Sequence, residues 1–115
     1  QRVQAVAVAD DAEAMYAAID QDTFLAHLQE APVVVHEALA TLADNLRAHV
    51  RDIVDAGADG VFFSIQGCSA AVMPEARYRE FGRPYDLMAL QGAQNGWLNI
   101  LHVHGERDLS FDLPL

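Results

Sequence analysis

The stretch Gly57-Ala58-Asp59-Gly60-Val61-Phe62-Phe63-Ser64-Ile65-Gln66 decides the fold of this 115-residue chain. Val61 to Ile65 is apolar apart from Ser64. A strand without polar alternation is expected where both faces are covered, as in a parallel sheet flanked by helices. Gly57 can take positive φ and so end a preceding helix. Upstream, Leu39, Leu42, Leu46, Val50 and Ile53 recur at steps of 3, 4, 4 and 3. That spacing predicts one long amphipathic helix with a single apolar stripe. A helix feeding straight into a buried strand is half of a βαβ crossover.

Downstream the same logic repeats. Pro74-Glu75 opens a helix, with proline at the first position and an acid in the first turn. This helix carries Tyr78 and Phe81 and breaks near Gly82, and Pro84 starts another piece running to about Ala93. Gly92 and Gly96 bracket a loop, and Leu98 to Val103 reads as the next strand. Before the long helix, Val3 to Ala9 reads as a strand and Ala12 to Ile19 as an alanine-rich helix. Phe24 to Gln29 reads as a short helix capped by Asp22-Thr23 and ended near Pro32. The cadence is α/β with parallel strands. Three such strands bury their faces poorly alone, and a complete (β/α)8 barrel takes about 250 residues. Residues 1–115 are therefore expected to be one part of a TIM-type barrel, with both ends cut from a longer chain.

Composition narrows the function classes. Seven basic and 17 acidic side chains give a formal net charge of −10, and every basic residue is Arg. Such a chain repels phosphate backbones, so no nucleic-acid partner is expected. One cysteine, Cys68, leaves no internal disulfide framework and fits a reducing, cytoplasmic compartment. Asp, Arg or His interrupts each apolar run short of membrane-spanning length, and Gln1-Arg2-Val3-Gln4 lacks a basic region leading into an apolar core, so neither a span nor a secretory leader is expected.

Chemistry in a parallel α/β fold collects where strands end. Gln66 follows one strand end, with Ser64 just before it. His102 and His104 follow the other and, two apart on a strand, share a face. A paired imidazole site can bind metal or move protons near neutral pH. Tyr16, after the first strand, can donate a hydrogen bond to a substrate carboxylate. Cys68 reads as a small buried thiol. Arg77, Arg79 and Arg83 read as partners of Glu75, Glu80 and Asp86 on a solvated helix. His27, His36 and His49 fall on helices and carry no assigned chemistry.

Gly57-Ala58-Asp59, Pro74-Glu75, Tyr78-Arg79-Glu80-Phe81 with Pro84-Tyr85, and the strand ending Leu101-His102-Val103-His104-Gly105 together resemble the uroporphyrinogen decarboxylase family over most of residues 20–105. The resemblance implies a TIM barrel, often dimeric. Its decarboxylase branch acts without a cofactor on a carboxylated porphyrinogen-like small molecule, releasing carbon dioxide from an acetate arm once the pyrrole is protonated. It places Tyr16 at about the position of the branch's tyrosine; the strand-end rule adds His102 and His104 as catalytic residues, with Gln66 and Ser64 near the substrate. The branch's serine after the central strand falls at Gly67. A second branch moves methyl groups between corrinoid and thiols with zinc. There His102 and His104 stand at metal-ligand positions, with imidazole in place of the branch's thiolate. A third reading is a non-catalytic barrel that binds a ligand.

Overall fold

The computed structural model describes residues 6–9, 21–112 and 114. Strand β1 (Val6–Ala9) is followed by helices α1 (Gln21–Glu30) and α2 (Pro32–Asp55), then β2 (Gly60–Ile65). Helices α3 (Glu75–Phe81) and α4 (Arg83–Leu90) come next, then a single 3₁₀ turn, Gln91–Ala93, and β3 (Ile100–Val103). The strands lie in the order β1-β2-β3, and both pairings are parallel. Within the described residues the fold is α/β, with a helical connection between each pair of neighbouring strands. The helix expected over Ala12 to Ile19 lies outside them.

The apolar run of β2 is buried on both sides, as its composition requires. Val61, Phe63 and Ile65 join the core formed with Phe24 and Leu28 of α1, Val35 and Val50 of α2, Tyr78 and Phe81 of α3, and Ala89 of α4. Gly57 has φ +116, the left-handed helix end expected of it.

The stripe on α2 differs from the sequence expectation. Its buried residues are Val35, Ala43 and Val50, with Leu39, Leu46 and Val54 packed beside them; Leu42 and Ile53 stand off the core. Beside Val50 on this line another backbone comes in close. A Cβ on Gly92 would lie 2.2 Å from the Arg47 carbonyl oxygen. Only a bare Cα lets the 3₁₀ turn rest on α2 at that point.

The third strand begins at Ile100, two residues later than expected. The backbone N–H groups of Trp97 and Leu98 both donate to the Asp59 carbonyl, at 2.9 and 3.1 Å, instead of entering the ladder. The α3 helix begins after Pro74 and breaks at Gly82, as the sequence indicates.

Candidate functional site

Parallel pairing sets Ser64 opposite His102 and Ile65 opposite Val103. The His104 N–H extends the ladder one step by donating to the Ile65 carbonyl at 2.9 Å. Because strand side chains alternate, the residues between the core positions of β2 face away from the helices. Phe62, Ser64 and, across the strand, His102 therefore share the face opposite the helical layer.

Two ring contacts order this face. Phe62 and His102 stack with centroids 5.2 Å apart, and His102 meets His104 edge-on at 5.7 Å. His102 is half-buried and His104 exposed, so the pair runs from the sheet outward to its C-terminal edge. Ser64 is 7 % exposed, beside this pair rather than in the open. Gln66 is half-buried at the end of β2. The spacing argument thus brings His102 and His104 together on one face and sets Ser64 and Gln66 on the neighbouring strand. Tyr16 lies outside the described residues.

The loops beyond the two strands are tied to each other. Ser69 Oγ donates to the Arg107 carbonyl at 2.8 Å, Ala70 N–H to the Asp108 carbonyl at 3.0 Å and Ser110 N–H to the Cys68 carbonyl at 2.9 Å. Gly105 at φ +149 and Asp108 at φ +54 make the second loop's unusual turns. Two positive-φ residues within four, with three cross-loop bonds, shape this rim.

The sequence matches the model of the uroporphyrinogen decarboxylase (URO-D) family over residues 12–112. The chain belongs to this family. No curated protein and no solved structure matches it. In this URO-D family member the Tyr78-Arg79-Glu80-Phe81 and Pro84-Tyr85 segments turn out to hold helices together. His36 of α2 stacks on Phe81 with centroids 4.4 Å apart, and its Nδ1 meets the Tyr85 hydroxyl at 2.6 Å. Its Nε2 meets Glu80 Oε1 at 3.3 Å. Burial first, then the nearby Glu80 charge, holds the Tyr85 hydroxyl above its ordinary pKa. Sequence reasoning gave His36 no task, because its partners are 44 and 49 residues away.

The arginine pairings differ from expectation in two places. Arg79 does pair with Glu75, at 2.8 Å, but Arg77 lies over the Phe81 ring at 5.9 Å. Asp86 is not on a solvated face: it is 5 % exposed and accepts a 2.7 Å hydrogen bond from Tyr78. Cys68 is fully buried, as expected, and its thiol is pushed up to about 11. Burial is the main cause; the Asp86 charge adds to it and a hydrogen bond with Tyr78 opposes it. A thiol so held stays protonated at neutral pH, as expected of a small buried cysteine.

A catalytic zinc site takes three protein ligands. His102 and His104 supply two, and among the described residues no group of three His, Cys, Asp or Glu side chains could hold a metal ion. Among the described residues no helix is long and apolar enough to cross a membrane.

Proposed function

We propose that this chain is part of a (β/α)8 barrel and acts as a cofactor-independent carboxy-lyase on a carboxylated porphyrinogen-like substrate. The observation that carries the reading is the imidazole pair at the C-terminal edge of a parallel sheet. Family membership supports the decarboxylase class. Strand ends of this kind are where barrel enzymes hold their chemistry.

The reaction exchanges carbon dioxide for a proton. An acid protonates the pyrrole ring carbon next to the acetate arm. The electron pair of the bond to the carboxyl carbon then flows into the cationic ring as carbon dioxide leaves. The exocyclic carbon takes up a proton, and the ring returns its own to a base. His102 and His104 are the groups suited to move these protons near neutral pH. Ser64 and Gln66 border the same face and orient the substrate, and Tyr16 donates to its carboxylate. The protein works as a cytoplasmic homodimer with no nucleic-acid partner.

Anaerobic incubation of the full chain with uroporphyrinogen tests the proposal. Less carboxylated porphyrinogens should appear, separable by chromatography after oxidation. No product at high enzyme concentration would sink it.

A further inference from the structure

Tyr78 occupies a slot that two glycines leave open. A Cβ on Gly82 would lie 2.3 Å from Tyr78 Cδ2, and one on Gly67 would lie 3.0 Å from the same atom. The ring is thus clamped between the junction of α3 with α4 and the loop that follows β2. Its hydroxyl donates to Asp86 Oδ2 at 2.7 Å in α4, and the Cys68 thiol hydrogen-bonds with it from the loop. Tyr78 is 1 % exposed.

A buried hydroxyl–carboxylate pair is a costly way to fill a core, since apolar side chains of like volume need no compensating partners. What it adds is direction: a ring that packs sideways is fixed in depth only when its far end is bonded. Here the fixed ring is a stop against which Gly67 rests. Gln66 precedes that glycine and Ser69 follows two residues on. Through Ser69, Ala70 and Cys68 the loop holds the segment that begins at His104.

We infer that Tyr78 is a positioning residue: it sets the height of the loop after β2, and so the placement of Gln66 and His104 at the rim. The inference rests on the proposed decarboxylase reading for what the rim does, but not for how it is held.

The test is Tyr78→Phe in the full chain, read by NMR below the melting temperature. The Gln66 side-chain amide and the His104 ring protons should shift or broaden. The Trp97 indole N–H, at the opposite ends of β2 and β3, should keep its place. A role in stability alone would leave the spectrum of the folded protein unchanged. With uroporphyrinogen as substrate, kcat should fall about 10- to 100-fold, the scale of misplacement by an ångström or less. Gln66 and His104 signals at their original positions, or a Trp97 signal that moves as far, would overturn the inference. If the variant does not fold, Asp86→Asn keeps the ring and weakens only the anchor, and the same three signals decide. Failure of the decarboxylase reading is separate: the unaltered chain would then give no product while the signals still respond.

Discussion

The two ends of the sheet are built on opposite plans. At the N-terminal end, side chains are consumed by local backbone. Asn99 Oδ1 accepts from the Val61 N–H at 3.2 Å, while its Nδ2 donates to the Ala93 carbonyl at 2.9 Å and the Gly96 carbonyl at 3.3 Å. The Trp97 indole donates to Asp59 Oδ1 at 2.7 Å. At the C-terminal end the loops tie to each other mainly through backbone, with Ser69 the one side chain engaged among the described cross-loop bonds. His102 and His104 lie at the rim, stacked on Phe62 and on each other. One end spends its polar side chains on holding the sheet, and the other carries the imidazole pair that the proposed function would use. This is the division expected of a parallel α/β fold whose chemistry sits past the strand ends.

The largest expected effect comes from breaking the closed end. A Cβ on Gly60 would sit 1.8 Å from the Leu98 carbonyl oxygen, a backbone atom that cannot swing aside. Gly60→Ala must push the start of β2 away from the segment that leads into β3. We expect a loss of about 4 kcal/mol or more, enough to unfold a marginal domain. Chemical denaturation monitored by circular dichroism checks it; a loss under about 1 kcal/mol would show that the junction yields easily.

Asn99→Leu should follow. The change removes three hydrogen bonds and leaves the Val61 N–H without that acceptor. At about 1 kcal/mol for each bond, a loss near 3 kcal/mol is expected. Rim signals of the folded fraction should stay in place, because the closed end does not set the rim. Movement of the His104 ring protons in this variant would erase the contrast between the two ends.

Alkali offers a third, smaller lever, inside the core behind the rim. The Cys68 thiol ionises near 9.0 when unperturbed and near about 11 in the fold. A group whose folded pKa is raised contributes its stability fully below the unfolded value and loses it as pH climbs to the folded one. Stability should therefore fall between about pH 9 and pH 11, with about 2 kcal/mol of the loss due to this thiol. Tyr78, raised in the same direction, adds to the decline. Denaturation midpoints measured across that range should fall less steeply in Cys68→Ala, and an equal slope would remove Cys68 from the account.

Much of this contrast was legible in the residues. The unbroken apolar run of β2 announced a strand covered on both faces, and the two-residue spacing of His102 and His104 put them on one face without any knowledge of the partner strand. Gly57 and Pro74 marked their helix ends. What stayed hidden depends on which helices meet. The core line of α2 runs through Ala43 rather than Leu42, and Gly92 comes in against the helix at Arg47 and Val50. Asp86, which looks like a surface acid in sequence, is buried because Tyr78 reaches it across the Gly82 break. His36 gains its role only from Glu80, Phe81 and Tyr85. Such contacts span tens of residues, and no local period encodes them.

The smallest change in stability should come at the open end, and it sharpens the comparison most. His104 is exposed, and only its backbone N–H is engaged in the ladder, which Gln retains. His104→Gln should shift the unfolding free energy by no more than about 0.5 kcal/mol, the usual range for a surface position. Its ring contact with His102 is lost, yet His102 keeps its stacking on Phe62. If the proposed chemistry runs at this rim, decarboxylation should drop about 100-fold or more, as when a positioned acid or base is removed. Stability and turnover measured on the same preparation separate the two plans. A variant that loses stability as Asn99→Leu does would make His104 part of the scaffold. One that keeps both stability and full turnover would move the proton chemistry to other residues.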